Sequence, residues 1–489
     1  MSSPLPALRS ATLWAALLAA APALPAQASP VALHHNFPLA GGTLVVVADG
    51  LQPGEDVRVA LLDAVNAPLS LVEELTASTS RQFRSPLPGP AVEAGTIQGL
   101  WRADERGRIV ITVALDDPAD ADRPVSLAVW PSAAAEGAAL QLHVQPPTLV
   151  LATAAGHARL SLLDGRLLSP SIPAAGGLRG ISFSADGARG YVLRDGGLLQ
   201  VLAAANWGAT PLSALAFDAA ADVLAGGPAG AAFLLSRPGG QPFAAPGRAL
   251  FLDQAALALE PLAQPVDGRR VALSADGLTA FVAEDDLVVR EVDVATRAAR
   301  ALLPVGLAGD QAVADLALDG RRLLVATRGA AGRPGALSTL DLDTGWLSTL
   351  RLAVQPARLV ALGDGRVLVV PSAEGPAELL QDGVPLGRVP VSGRLLDGAP
   401  VAGGALLLAA WPDGARSLSF LPPGSLRGQA LTLAVPAASR LAAPPAGLQG
   451  VVALLGDPSG AVHIWQPRGE LTAVPGLLAD PAAPFFIAP

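Results

Sequence analysis

The stretch from Val271 to Gly306 constrains the fold more than any other part of this chain. Its apolar and β-branched runs predict four short strands, none of them long enough for a typical helix. These strands are residues 270–274, 279–283, 287–294 and 298–305. Asp276-Gly277 separates the first two, and an Asp-Gly pair readily adopts the positive φ angles of a tight hairpin. The stretch therefore predicts one small antiparallel sheet.

Weaker copies of this unit recur on both sides of it. Ser184-Ala185-Asp186-Gly187 repeats Ser274-Ala275-Asp276-Gly277, and residues 316–326 and 362–370 again place a turn between two apolar strands. A repeat of roughly 40–45 residues with four short strands is typical of β-propeller blades. We therefore predict an all-β protein in which residues 148–489 form a propeller.

The repeats resemble those of the YVTN-type family of bacterial propellers, also called quinoprotein-amine-dehydrogenase-like, which have a WD40-like architecture. The resemblance rests on the Asp-Gly turns, on the strands that follow them at Tyr191-Val192 and Phe281-Val282, and on the Asp343-Thr344 that closes a third strand. It covers residues 148–489. It implies a fold and no particular activity.

The number of blades depends on how the ends of the chain meet. Residues 149–173 supply only three strands, and Phe485-Phe486-Ile487 stands alone at the C-terminus. Pairing this last strand with the first blade closes the ring and removes both exposed sheet edges. The remaining units start near Arg179, Leu212, Arg269, Ala312, Ala357, Leu395 and Leu441. We therefore predict a propeller of seven or eight blades that is closed by the C-terminal strand.

The N-terminal part divides into two segments. Residues 1–28 read as a signal peptide, with Arg9 before an apolar core and Ala26-Gln27-Ala28 as a small-residue cleavage site. Residues 30–147 show alternating strands and frequent turns, which favour a β-sandwich that resembles bacterial immunoglobulin-like modules. His34-His35 is expected in a disordered end. These features predict an extracytoplasmic protein, periplasmic or secreted and bacterial.

Composition limits the chemistry and the partners. The chain has no cysteine, which excludes disulfides, thiolate catalysis and cysteine zinc sites. Its formal net charge of −9 argues against nucleic acid as a partner. No stretch after residue 28 is long and apolar enough to span a bilayer. A protein or glycan partner is compatible with these limits.

The candidate binding residues lie at the corners between the second and third strands of the blades, which share one face of a propeller. They are Glu284, Asp285, Asp286, Arg328, Trp411 and Asp413. The alternative is that the single acids only shape turns in water, although three adjacent acids exceed what a turn needs. Trp207, Trp346, Trp411 and Trp465 could stack on a sugar if they were exposed together.

No cofactor follows from the sequence, and calcium is the one metal with a plausible acidic site. Asp116-Asp117 with Asp120 and Asp122 offers oxygen ligands, but the stretch lacks the glycine and glutamate of an EF-hand loop. No Gly-x-Ser-x-Gly elbow occurs either. We therefore expect a non-catalytic binding or scaffold protein. The alternative is a propeller enzyme of lactonase or dehydrogenase type that acts at the central channel.

Overall fold

The computed structural model consists almost wholly of β-strands. It describes residues 31–35, 37–63, 83–84, 100–115, 124–131, 138–154, 156–172, 177–184, 186–194, 198–203, 207, 213–216, 220–225, 231–237, 247–253, 258–262, 266–268, 270–274, 279–284, 286–294, 296–319, 322–363, 365–431, 433–444, 448–467, 469–481 and 485–488. The one helical element among them is a 3₁₀ turn, Ala330–Gly332. No helix within these ranges has the length and hydropathy to cross a membrane. The predicted signal peptide lies outside them.

The described strands between residues 32 and 143 form two four-stranded antiparallel sheets. In order of hydrogen-bonded neighbours, the first contains β1 (Ala32–His35), β2 (Gly42–Asp49), β6 (Ile109–Leu115) and β4 (Phe83–Arg84). The second contains β5 (Leu100–Arg102), β3 (Asp56–Asp63), β7 (Pro124–Pro131) and β8 (Ala138–His143). Leu44 and Ile111 of the first sheet share a buried core with Val57 and Leu127 of the second. Alternation along each strand explains this core, since every second side chain points to the same face.

The rest of the described chain forms eight antiparallel sheets, numbered 1 to 8 here along the sequence. Sheet 1 contains β41 (Phe485–Ala488), β9 (Thr148–Thr153), β10 (Gly156–Ser161) and β11 (Leu167–Ile172). Sheet 2 contains β12 (Leu178–Phe183), β13 (Arg189–Arg194), β14 (Leu198–Ala203) and β15 (Ser213–Ala216). Sheet 3 contains β16 (Ala220–Ala225), β17 (Ala231–Arg237), β18 (Gly247–Asp253) and β19 (Ala258–Pro261), with β20 (Asp267–Gly268) also pairing with β18. Sheet 4 contains β21 (Arg270–Leu273), β22 (Thr279–Ala283), β23 (Val288–Asp293) and β24 (Ala299–Pro304).

The second half repeats this pattern more regularly. Sheet 5 contains β25 (Asp310–Asp319), β26 (Arg322–Gly329), β27 (Ala336–Asp341) and β28 (Leu347–Arg351). Sheet 6 contains β29 (Pro356–Gly363), β30 (Arg366–Pro371), β31 (Ala377–Gln381) and β32 (Val384–Val389). Sheet 7 contains β33 (Arg394–Val401), β34 (Gly404–Ala410), β35 (Arg416–Leu421) and β36 (Gln429–Ala430). Sheet 8 contains β37 (Arg440–Ala442), β38 (Val452–Leu455), β39 (Ala461–Trp465) and β40 (Leu471–Leu478).

The sheets follow one another around a closed ring. The leading strand of each sheet is its inner strand, and inner strands of neighbouring sheets touch, as β25, β29, β33 and β37 do in succession. Buried side chains fill the spaces between sheets, and one such cluster joins Leu151 of sheet 1 to Val462 of sheet 8. The first and last sheets are therefore neighbours. The described strands from β9 to β41 form a β-propeller, as the repeats predicted.

The C-terminal strand closes the ring in the predicted way. β41 pairs antiparallel with β9, with Phe485 opposite Leu151 and Ala488 opposite Thr148. It also contacts β12, so it serves as the inner strand of sheet 1. Both edges that an open ring would leave unpaired are thereby covered.

Two sequence predictions are wrong. A unit does not start near Leu212, because the strand Ser213–Ala216 completes sheet 2 and the next inner strand begins at Ala220. His34-His35 is not a disordered end, since both residues lie in β1 and pair with Val47 and Val46 of β2. Strand β1 escaped notice because two polar residues interrupt its short apolar pattern.

The N-terminal sheets contact one face of the propeller. This hairpin face, as we name it, carries the turns between the first and second strands of each sheet. The backbone N–H of His143 donates to Asp186 O at 2.7 Å, and Gln145 Nε2 donates to Gly187 O at 3.0 Å. Phe37 also packs against Phe183, with the two rings tilted and their centroids 5.8 Å apart. The Ser-Ala-Asp-Gly turn of sheet 2 therefore supports this contact.

Candidate binding face

The predicted binding residues lie on the opposite face, which we name the corner face. It carries the loops between the second and third strands of the sheets. Glu284 and Asp286 follow β22 in sheet 4, Arg328 lies near the end of β26 in sheet 5, and Trp411 and Asp413 follow β34 in sheet 7. Topology thus brings these five residues to one face, on three sheets. Asp285 lies outside the described residues.

The acidic corner of sheet 4 is partly neutralised. Both carboxylate oxygens of Glu284 accept hydrogen bonds from Arg290, one of them from Nη2 at 3.2 Å, and each side chain is 20% exposed. Glu284 therefore supports its own sheet. Asp286 is exposed to solvent beside it.

The corner of sheet 7 separates a turn former from an exposed aromatic ring. Asp413 Oδ1 accepts the backbone N–H of Ala415 at 3.0 Å, a common turn-closing bond. Trp411 is 45% exposed. The ring of Trp411 can therefore make contacts, whereas Asp413 shapes the loop that presents it.

The four tryptophans that could have formed a sugar platform are not exposed together. Trp207 and Trp465 are buried in the blade cores, with 0% and 3% exposure. Trp346 is 73% exposed but lies between β27 and β28, on the hairpin face. Trp411 is thus separated from every other member of the set.

Charged residues on the inner strands were missed in the sequence. In the inner strands of sheets 4 to 8, arginine and aspartate alternate from one sheet to the next. The series is Arg270, Asp315, Arg358, Asp397 and Arg440. Comparing the charged residues of successive inner strands would have suggested this alternation, although the residues stand at different steps of their strands. The alternation places opposite charges on neighbouring inner strands.

Bonds from these residues connect neighbouring sheets. Asp315 Oδ2 accepts the backbone N–H of Leu359 at 2.8 Å, and Arg270 Nη2 reaches Ala314 O at 3.5 Å. Each bond runs from one inner strand to the next. The series therefore stabilises the ring around the channel.

Asp397 is the most buried member of this series. Its residue exposure is 2%; Oδ1 accepts bonds from Arg358 and from the backbone N–H of Gly398 at 2.9 Å, and Oδ2 accepts the N–H of Leu441 at 2.9 Å. Burial raises the pKa of Asp397, while Arg358 opposes the rise. Both oxygens are occupied, so the role that this geometry supports is structural.

A second acid is buried beneath the corner of sheet 5. Asp310 Oδ2 accepts bonds from Thr327 Oγ1 at 2.7 Å and from the backbone N–H of Leu307 at 2.9 Å, and Oδ1 accepts Arg351 Nη1 at 2.5 Å. Its side chain is 0% exposed. Burial alone would raise the pKa of Asp310, but these three donors outweigh burial and hold it below its usual value of 3.8.

The lowered pKa of Asp310 leads to a pH-dependent prediction. Because the folded pKa lies below the unfolded one, the carboxylate stabilises the fold above about pH 4, and this contribution is lost as the pH falls through the folded pKa. We expect Asp310→Asn to lower the free energy of unfolding by about 1–2 kcal/mol at pH 7. Urea unfolding at pH 7 and at progressively lower pH should show that the gap, the difference in unfolding free energy between wild type and variant, becomes smaller. Asp286→Asn is the exposed control, and a gap that stays constant with pH would contradict the prediction.

A pocket lies at the seam between sheets 1 and 8, on the corner face. It is small, with a cavity volume of about 30 Å³, and it opens to solvent. Leu151, Leu455 and Val462 form part of its lining, together with Arg440 and Asp457. Asp457 accepts Ser459 Oγ at 2.7 Å, which lowers the pKa of Asp457 and keeps it ionised.

No metal centre emerges from the described part of the chain. Within it, no three His, Asp or Glu side chains are grouped so that they could hold an ion. The calcium candidates Asp116, Asp117, Asp120 and Asp122 lie outside the described residues. The calcium hypothesis stays a prediction.

Sheets arranged in a ring, joined by inner-strand bonds and closed by the last strand, define this chain as a β-propeller protein. No protein-family model matches it, and no curated protein sequence does. The immunoglobulin-like and YVTN-type resemblances therefore remain predictions.

Several solved structures are similar to part of this chain at low sequence identity. One is BamB from Moraxella catarrhalis, at 15% identity and a TM-score of 0.46, covering 66% of this chain and 94% of that one. Another is the dihydro-heme d1 dehydrogenase NirN, at 18% identity and 0.49, covering 68% and 73%. A third is the computationally designed Ika8 protein, at 15% identity and 0.44, covering 68% and 94%. At these scores, the propeller assignment rests on the sheet topology of this chain.

Proposed function

We propose that this chain is an exported, non-catalytic binding protein whose corner face recognises a protein partner. One observation carries the proposal: the N-terminal sheets contact the hairpin face, while the corner face presents the exposed Trp411 and Arg328. Tryptophan and arginine are the side chains that contribute most often to binding energy at protein interfaces. The N-terminal sheets thus leave the corner face open to a partner.

The export part of the proposal rests on residues 1–28. A short basic start, an apolar core and a small-residue cleavage site are typical of secretory signals. The absence of cysteine is compatible with an oxidising compartment. Periplasmic and secreted locations both fit, and fractionation of the producing cells would separate them.

The proposed face can be tested with a matched pair of tryptophans. We expect Trp411→Ala to reduce partner binding at least about thirtyfold, because truncating a central aromatic contact costs about 2 kcal/mol or more. Trp346→Ala is the control, since Trp346 is even more exposed but lies on the hairpin face. The measurement is chemical crosslinking in the native host, followed by quantitative mass spectrometry of proteins bound to the tagged full chain.

The assignment to the corner face would be contradicted if both variants lost the partner equally, or if neither variant lost it. The enzyme alternative requires groups that are free to react at the channel. Native mass spectrometry of the protein purified from its own host would favour that alternative if a stoichiometric metal or small molecule were bound.

A further inference from the structure

The longest loop of the corner face that the structure describes in full is held in place by hydrogen bonds to neighbouring segments. Residues 328–335, named the platform loop, comprise the last two residues of β26 and the connection to β27, and they include the 3₁₀ turn Ala330–Gly332. Ala330 N–H donates to Gly309 O at 3.0 Å, on the connection that precedes sheet 5. Gln355 contacts Gly329 through two bonds of 3.1 Å, from Gly329 N–H to Oε1 and from Nε2 to Gly329 O. The loop is thus held from both sides.

Close packing and one strained residue restrict this loop to a single backbone conformation. Ala331 adopts φ 51° and ψ 40°, a left-handed conformation that costs a residue with a Cβ about 1 kcal/mol or more. A Cβ on Gly335 would stand 1.9 Å from Thr327 O, so the chain fits there only without a side chain. Gly335 also exchanges bonds with the next connection, donating to Val354 O at 3.0 Å and accepting from Leu352 N–H at 2.9 Å. The surrounding structure therefore fixes one conformation.

This rigid loop presents two arginines to solvent. Arg328 and Arg333 are both exposed, and no described residue pairs with either guanidinium. The nearby acids are already engaged: Asp310 binds Arg351 and Thr327, and Glu378 Oε2 accepts the N–H of Ala353 at 2.7 Å.

The exposed acids of this face stand on other corners. Asp286 follows β22 in sheet 4, and Glu374 follows β30 in sheet 6. The platform loop itself contains no acidic residue. It is therefore a locally cationic patch on a chain whose net charge is −9.

We infer that the platform loop docks an acidic segment of the partner protein, one rich in aspartate or glutamate. This inference rests on the proposed function and adds the chemistry of the partner. Guanidinium groups bind carboxylates through paired hydrogen bonds. A loop already locked in one conformation loses little entropy on binding, which favours affinity.

The test uses the full-length chain and a fluorescein-labelled poly-glutamate peptide as the probe. In fluorescence anisotropy, Arg328→Ala and Arg333→Ala are each expected to weaken binding about threefold to tenfold, and the double variant about thirtyfold, because hydrogen bonds to charged groups contribute more than neutral ones. Added salt should weaken wild-type binding, since exposed charges are screened. Gln355→Ala leaves both charges in place and is expected to weaken binding by loosening the loop.

The control is Arg388→Ala, which removes an exposed arginine from the outer strand β32 and should leave binding unchanged. The inference is overturned if the double variant binds the peptide as tightly as wild type, if Arg388→Ala weakens binding equally, or if only a sulfated glycan binds.

The two proposals fail in different ways. If Trp411→Ala abolishes crosslinking to the partner while the double arginine variant retains it, the acidic chemistry fails and the corner face stands. If both variants retain the partner, the face itself fails.

Discussion

Deletion of residues 485–488 is expected to destabilise the propeller by at least about 3 kcal/mol. β41 pairs with β9 along four residues, from Phe485 to Ala488. Each lost backbone hydrogen bond costs roughly 0.5–1.5 kcal/mol. The loss also removes the contact between β41 and β12 that helps to hold sheets 1 and 2 together.

The deletion should also change how the protein unfolds and associates. It leaves the edge of β9 unpaired, and exposed edges pair with other chains. We expect a lower midpoint in urea, followed by tryptophan fluorescence from the buried Trp207 and Trp465, and concentration-dependent association in sedimentation. Removing Pro489 alone is the control. An unchanged midpoint after the deletion would show that β41 does not close the ring in solution.

Asp397→Ala is expected to cost about 2–4 kcal/mol, because it leaves two buried backbone N–H groups without their acceptor, each worth roughly 1–3 kcal/mol, whereas its ion-pair partner Arg358 is 51% exposed and can be solvated. The carboxylate connects three inner strands, through Arg358 of β29, its own β33 and Leu441 of β37. The substitution leaves the Leu441 N–H without its acceptor in the core. Asp413→Ala, which removes only a solvent-exposed turn bond, should cost less than about 1 kcal/mol.

Urea unfolding of both variants measures this difference directly. A loss below about 1 kcal/mol for Asp397→Ala would contradict the structural role of the inner-strand series. Asp397→Asn tests the charge separately, since an amide keeps one acceptor oxygen and removes the ion pair. We expect Asp397→Asn to lower the free energy of unfolding, but by less than Asp397→Ala does.

Local patterns predicted the strands well where turns and alternation agreed. The predicted strand at residues 279–283 coincides with β22 (Thr279–Ala283), and the pairing of the C-terminal run with β9 is confirmed. The prediction failed near Leu212, where alanine-rich strands carry little alternation. Periodicity alone could not assign β15 (Ser213–Ala216) to the sheet before it.

The sequence was enough to predict which face of the propeller carries the candidate residues, but not which contacts each of them makes. Counting strands was enough to put Arg328 and Trp411 on one face, because every second turn of an up-and-down sheet lies on the same side. Counting could not show that Glu284 pairs with Arg290, nor that the platform loop is held by Gln355. Those contacts join residues that no local pattern relates.

The sequence by itself determined the all-β class, the repeat and the closing strand, because turn residues and period-two alternation act over a few residues. Only the tertiary structure decided which charged side chains are paired inside the propeller and which are exposed to solvent. Asp397 and Arg328 are both charged residues of blade strands, yet one is buried between inner strands and the other is exposed. The physical reason is that the fate of a charge depends on the groups that the closed ring brings beside it, and ring closure relates residues far apart in the chain.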